Sequence, residues 1–318
     1  QEEETGCRRA VSDVVPSSDP SAYLPAYLAA ERLRVEPALE RVVSQLEAEL
    51  EADIGAAVRH GVMGGGKRLR PILCATAYRA SGGTADGLIY PLAVSLELIH
   101  ACSLMHDALP CMDDAELRRG RPTTHVDHGE DVTARAGAAL IPAAALQALS
   151  SAAELECGPE GGVDIARELM EAAGAGGMVG GQWLDLKGEG EALGLDGLNG
   201  LYERKTGALL MAALVVGGMG AGATDDVVEA LRRYGGSIGL AFQIADDLLD
   251  ATQSVETLGK RPSDVELAKS TYVGLYGLKE ARDRARAHVD DALASLSSAG
   301  IDVPALKSLA LFVVERDN

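Results

Sequence analysis

Three aspartates stand close together in the run Phe242-Gln243-Ile244-Ala245-Asp246-Asp247-Leu248-Leu249-Asp250. Asp246 and Asp250 are four residues apart, so on a helix they share one face. Like charges so close repel each other, and the apolar neighbours deny them ordinary solvation. Such a cluster is stable where cations neutralise it. Hard carboxylate oxygens at this spacing suit Mg2+ bound to a substrate's phosphates. Taken alone, the run reads equally well as an exposed acidic face.

A second acidic cluster lies in His106-Asp107-Ala108-Leu109-Pro110-Cys111-Met112-Asp113-Asp114. Asp107 and Asp113 are six apart, which on an ideal helix puts them on different faces. They converge if the proline-containing segment bulges out. Two acidic clusters on separate helices, facing each other across a cavity, would hold several Mg2+ ions and a diphosphate between them.

Basic groups supply the other half. Gly64-Gly65-Gly66-Lys67-Arg68-Leu69-Arg70-Pro71 is a glycine-rich turn loaded with cations, a plausible phosphate cradle. It lacks the spacing of a Walker A loop. Leu117-Arg118-Arg119-Gly120-Arg121-Pro122 is a second cationic loop, directly after the first acidic cluster. Each loop alone reads more often as a surface turn; the combination with paired aspartate clusters is far more specific.

The elements that must position these groups read as helices. Alanine, leucine and glutamate are abundant and aromatics make up only 3% of the 318 residues. Residues 1–22 read as a flexible acidic tail and 23–318 as one domain. Apolar residues recur at helical spacing from Leu24 to Val62, and Gly61 to Gly66 break that pattern. A helix then runs from Pro71 to Ala80, and another from Leu88 to Cys111, with Pro110 distorting its end. Further helical patterns cover 133–156, 163–182, 198–219, 225–251, 272–297 and 304–314. No alternating strand pattern is visible, so an all-α domain of about ten helices is expected.

Composition narrows the function classes. At 47% hydrophobic and 24% charged the chain reads as globular. A net charge of −19 without a basic run excludes a typical nucleic-acid binder. Five cysteines with no CxxC pair argue against a disulfide framework or a zinc site, and favour a reducing compartment. The stretches Ala136–Ala153 and Thr206–Thr224 lack charge, but alanine, glycine and serine dilute them, so buried helices are expected rather than membrane spans. Because the chain begins with Gln1, a processed or trimmed form is expected, with no targeting peptide in it.

The ordered set GGGKRLRP, HDALPCMDD, LRRGRPT, GGQWLDL, ERKTGALL, FQIADDLLD and LGKRPSDVELAKSTY resembles trans-isoprenyl diphosphate synthases, and among them the geranylgeranyl diphosphate synthases of plastids and bacteria. The resemblance implies an all-α isoprenoid-synthase bundle around a central cavity. It implies Mg2+, three ions in each active site, held by Asp107 and Asp113 and by Asp246, Asp247 and Asp250. It implies that Lys67, Arg70, His100 and Arg119 bind the isopentenyl diphosphate headgroup. Arg118, Lys205, Lys260 and Lys269 would hold the allylic diphosphate, and Thr206, Gln182 and Gln243 would line the reacting carbons. Of these, Lys205, Thr206, Gln243 and Lys260 would act in catalysis. The small residues Cys102 and Ser103, just before Asp107, imply room for a geranylgeranyl tail. A homodimer or a heterodimer with a related subunit is expected, in the plastid rather than the cytoplasm.

The chain departs from the family pattern where Ala108 replaces the second aspartate of the first motif. Ala115 and Ala138 also stand where acids are expected, and Glu116 replaces an aspartate. The loop after the second motif is about one residue short and lacks the lysine that usually precedes Asp264. Two readings follow: an active synthase, or a noncatalytic paralogue acting as a regulatory or structural subunit.

Overall fold

A computed structural model describes residues 20–188, 193–252 and 270–315. They are helical almost throughout, and they divide into two compact units. The first comprises the chain up to Met170 together with Val216–Ala223; the second comprises Glu171–Val215 and the residues from Thr224 onward.

The first unit is built from α1 (Pro20–Glu49), α2 (Ala52–Met63), α3 (Leu69–Ala80) and α4 (Ile89–Asp107). A hairpin follows, β1 (Leu117–Arg118) with β2 (Arg121–Pro122), then α5 (Thr124–His128), α6 (Glu130–Glu154) and the start of α7 (Gly158–Ala173). Helix α4 is the axis of this unit. Leu92, Ala93, Val94, Leu96, Leu98 and Ile99 are all fully buried, so apolar side chains cover most of its circumference, as befits a central helix. A buried polar knot ties α1 to α3 and α4: Glu31 pairs with Arg79 at 2.8 Å and accepts from the Tyr90 hydroxyl at 3.1 Å.

The second unit holds α8 (Met178–Lys187), α9 (Leu195–Tyr202), a π-helical turn (Glu203–Gly207), most of α10 (Ala208–Gly220), α11 (Asp225–Thr252), α12 (Tyr272–Ser298) and α13 (Pro304–Glu315). Its core packs Leu198, Leu201 and Tyr202 against Leu240, Ile244, Tyr272, Ala281 and Ala285. Two glycines let the π turn sit close to its neighbours. A Cβ on Gly239 would come 2.8 Å from Gly207 Cα, and one on Gly181 would overlap the backbone of Lys205.

Four expectations about the elements need correction. The stretch expected to be one helix from Leu24 to Val62 breaks at Leu50, because the chain reverses there. Gly55 then lies against the Glu47 backbone, and Ala57, Val58 and Val62 turn inward. The expected helix 163–182 is two helices, separated by the glycines of 174–177. The helix carrying the first acidic motif ends at Asp107 rather than Cys111. The loop LRRGRP forms a two-stranded antiparallel hairpin, too short for an alternating pattern to reveal.

Two helices among the described residues are long and apolar enough to cross a membrane, α4 and α6. The apolar window of α4 is 72% buried inside the protein, as a core helix should be; that of α6 is 39% buried.

Candidate active site

In the first unit the glycine-rich loop is held from below. Arg68 adopts a left-handed conformation at φ 51° immediately before α3, which turns its side chain under the loop. There its guanidinium is buried, with Nε donating to Glu36 at 3.0 Å and Nη1 donating to Glu97 at 2.7 Å and to the Val62 carbonyl at 3.1 Å. Arg68 is thus a cation of this loop tied inward by buried carboxylate and carbonyl partners. Lys67 beside it is exposed.

Arg70, one turn into α3, carries a buried Nε with no hydrogen-bond partner. Burial lowers its affinity for the proton to a pKa of about 10, with Glu97 opposing the shift. Such a group presents a desolvated positive charge with spare donors. Arg119 comes from the hairpin and donates to the Gly65 carbonyl; a side chain at Gly66 would strike its guanidinium. Burial lowers its pKa as well. Arg118 on the same hairpin also keeps a buried Nε without a partner. His100 on α4 is pushed well below its usual 6.5, first by burial and then by Arg70, Arg119, Arg118 and Arg68. It is therefore neutral at physiological pH. Lys67, Arg70, His100, Arg118 and Arg119 were singled out from sequence. The structure gathers Arg70, Arg118 and Arg119 around His100. A cavity of about 500 Å3 in this unit has Arg118 and Arg119 in its wall beside Leu104 and Met105.

The first acidic motif closes the same unit. Beyond Asp107 the chain folds back, with Asp113 N donating to the Asp107 carbonyl at 2.9 Å and Ala115 N to the Ala108 carbonyl at 3.2 Å. The bulge at Pro110 therefore brings Asp113 beside Asp107 in spite of their six-residue spacing. Asp107 is half-buried and Asp113 exposed, whereas Ala108 is only 2% exposed. The position that lacks a carboxylate points into the core. Ala138, another departure from the family pattern, is on the surface.

In the second unit the acidic motif lies near the end of α11. Asp246 and Asp250 are half-buried on a shared face, and Gln243 precedes Asp246 by one turn. Asp247 does not share their surroundings. It is 6% exposed, and the Tyr202 hydroxyl lies 2.8 Å from each of its oxygens. Its Oδ2 also accepts from Tyr272 N at 2.7 Å. Lys205 and Thr206 sit in the π turn, directly after Tyr202. Lys205 Nζ meets Asp185 Oδ2 at 2.5 Å, and Thr206 is half-buried. Gln182 on α8 is 9% exposed, with its Nε2 buried and unpartnered. Lys260 and Lys269 lie outside the described residues.

Four residues at these sites were not singled out from sequence: Glu36, Glu97, Asp185 and Tyr202. Glu97 had a signal. It is the one acid inside α4 before its last residue, and a carboxylate in so apolar a run must be paired. Asp185 lies within the quoted run GGQWLDL, although no role was given to it; Glu36 and Tyr202 had no signal.

The carboxylates of Asp107 and Asp113, and those of Asp246 and Asp250, are the hard donors that could hold a divalent cation. Among the described residues no three His, Cys, Asp or Glu side chains are grouped closely enough to do so. An ion at either motif would therefore complete its shell with oxygens from water or a ligand, as Mg2+ commonly does.

Comparison with known proteins places this geometry. Residues 51–307 match the family described as polyprenyl synthetase. The chain is 43% identical over 265 residues to the farnesyl diphosphate synthase of Escherichia coli, covering 82% of this chain and 88% of that one. It is 41% identical over 267 residues to the chloroplastic geranylgeranyl pyrophosphate synthase 11 of Arabidopsis thaliana, covering 82% and 74% of the two chains. A geranyltransferase of Helicobacter pylori, solved in complex with magnesium and isoprenyl diphosphate, superposes with a TM-score of 0.71 at 31% identity, over 88% of this chain and 95% of that one. The all-α class and the family expected from the motifs are thus both found, and the chain belongs to the polyprenyl synthetase family, the trans-isoprenyl diphosphate synthases, and is a prenyltransferase.

Proposed function

We propose that this chain condenses isopentenyl diphosphate with an allylic diphosphate and releases geranylgeranyl diphosphate as its main product. The observation that carries this reading is the pair of buried, unpartnered guanidinium donors, Arg70 Nε and Arg118 Nε, near a histidine kept neutral. Buried donors without partners are costly unless a ligand satisfies them, and an oxygen-rich anion does so.

In this reading Lys67, Arg70, His100 and Arg119 take the isopentenyl headgroup. Neutral His100 can donate one hydrogen bond without adding a charge. Arg118, Lys205, Lys260 and Lys269 take the allylic diphosphate. Asp107, Asp113, Asp246 and Asp250 would hold Mg2+, which supplies positive charge to the departing diphosphate. The allylic C–O bond breaks with its electron pair leaving on the diphosphate, where Lys and Arg stabilise it. The Thr206 hydroxyl and the Gln243 and Gln182 amides can stabilise an allylic cation through neutral oxygens. The double bond of isopentenyl diphosphate then forms the new C–C bond, and a proton leaves to the released diphosphate. Lys205 is paired to Asp185 in this structure, so on substrate binding Lys205 exchanges or shares that partner.

Product length rests on Cys102 and Ser103. Cys102 is buried one turn before His106, its thiol 3.9 Å from His106 Nδ1, and Ser103 is half-buried. Both side chains are small, which fits a long tail running along α4. The buried position of Ala108 supports activity over a noncatalytic role, because the missing carboxylate falls on the inward face. A dimer is supported by the outer face of α6, where Leu146 is 67% and Leu149 39% exposed. The plastid fits the chloroplastic relatives, and the similarity to an Escherichia coli enzyme fits a bacterial cytoplasm as well. The test is incubation with Mg2+, labelled isopentenyl diphosphate and, separately, dimethylallyl, geranyl and farnesyl diphosphates, with the products resolved by length.

A further inference from the structure

We propose that Glu97 is a positioning residue for the cationic cradle: through Arg68 it holds the glycine-rich loop so that Lys67 and Arg70 converge with Arg119 on one anion. The inference rests on the reading of this cradle as the isopentenyl diphosphate site, and it deepens that reading.

Three observations carry it. Glu97 is 4% exposed on α4, three residues before His100, so it lies on the inner side of the cradle rather than at its mouth. Its Oε1 accepts from Arg68 Nη1 at 2.7 Å, and the same nitrogen donates to the Val62 carbonyl. One guanidinium thus joins the end of α2, the start of α3 and the middle of α4. Arg68 itself sits in the left-handed region, which a non-glycine residue holds only when its surroundings over-determine it. The residues on either side of this strained position are Lys67 and, two along, Arg70. A relaxation of Arg68 would move both.

Charge alone gives the opposite expectation. Glu97 is a negative charge near Arg68, Arg70 and Arg119, and it raises the proton affinity of all three. If its role were through space only, neutralising it would strengthen anion binding. If it positions the loop, neutralising it weakens anion binding, because Arg68 loses its buried partner and the backbone conformation it enforces.

The experiment measures isopentenyl diphosphate binding by calorimetry, together with KM and kcat for each substrate, in the full chain. For Glu97→Gln the expected result is about tenfold weaker binding and a matching rise in KM for isopentenyl diphosphate. The KM for the allylic substrate and kcat stay within about threefold. Arg68→Lys, which retains the charge but loses the forked contacts, should show the same selective rise. Glu36→Gln is the milder variant, since Glu36 is one-third exposed and touches the same guanidinium. It should fold even if Glu97→Gln does not, and raise the same KM by about threefold. Unchanged or tighter isopentenyl diphosphate binding in the folded variants would overturn the proposal, as would an equal rise in both KM values. Absence of product from the unmodified chain, with calorimetric binding intact and weakened by Glu97→Gln, would overturn the catalytic reading alone.

Discussion

The Tyr202 hydroxyl lies 2.8 Å from both carboxylate oxygens of Asp247, and the second of these oxygens also accepts from the backbone of Tyr272. Asp247 therefore joins the end of α9, the acidic motif on α11 and the start of α12. Read from sequence it belongs with the metal-binding carboxylates. Its geometry suits a different task, that of fixing the π turn bearing Lys205 and Thr206 against the helix bearing Asp246 and Asp250. Removing one neutral donor with Tyr202→Phe should cost about 1 kcal/mol of stability, and Asp247→Asn about 2 kcal/mol. The double variant should cost less than the sum of the two, since both break the same contact. Denaturant midpoints without Mg2+ check this. The concentration of Mg2+ giving half-maximal activity should shift in Asp246→Asn and stay unchanged in Tyr202→Phe.

His100 gives the protein a defined response to acid. Burial and four arginines hold its imidazole neutral in the native state, while in the unfolded chain it titrates near its usual value of 6.5. As pH falls below that value the unfolded chain gains a proton that the native state refuses. Stability is then full above about pH 6.5 and declines as pH falls through the window below, by at most about 1.4 kcal/mol per pH unit for this group. His100→Gln should flatten that decline. Thermal melts of both proteins between pH 7.5 and roughly pH 5 check it; parallel curves would contradict a buried neutral imidazole.

Product length should follow the residues one turn before the first acidic motif. Ser103→Phe places a ring where the growing tail is proposed to run. The expected result is a shift of the main product from geranylgeranyl to farnesyl or geranyl diphosphate, read by chromatography, with total turnover within about tenfold. An unchanged product would mean that the tail runs elsewhere.

Ala108 is the position where the chain departs most visibly from its family. Because it is 2% exposed, Ala108→Asp would bury a carboxyl group rather than add one to the exposed side of the motif. The variant should lose about 1–3 kcal/mol of stability. Its kcat should exceed that of the unmodified chain by no more than about threefold.

How far the sequence reaches is clear from these positions. The all-helical class and most helices were legible, because long apolar periodicity survives any tertiary context. That Arg70 and Arg119 lie near His100 agrees with what the family resemblance implied; Arg118, assigned by that resemblance to the other diphosphate, lies near His100 as well. What stayed hidden depends on direction. Arg68 and Asp247 lie within motifs of the right type, yet both turn inward, and residue type does not encode which neighbour in a charged run is buried. The break at Leu50 and the hairpin at Leu117–Pro122 carry too few residues for a periodic signal. The convergence of Asp113 on Asp107 required the loop geometry around Pro110, which sequence could state only as a condition.

The most direct measurement is product formation by the unmodified chain with Mg2+, labelled isopentenyl diphosphate and each allylic diphosphate in turn. The account predicts geranylgeranyl diphosphate as the main product, at a turnover that Ala108→Asp does not restore or multiply. No product from the unmodified chain, with activity appearing only in Ala108→Asp or on adding a related synthase subunit, would contradict it.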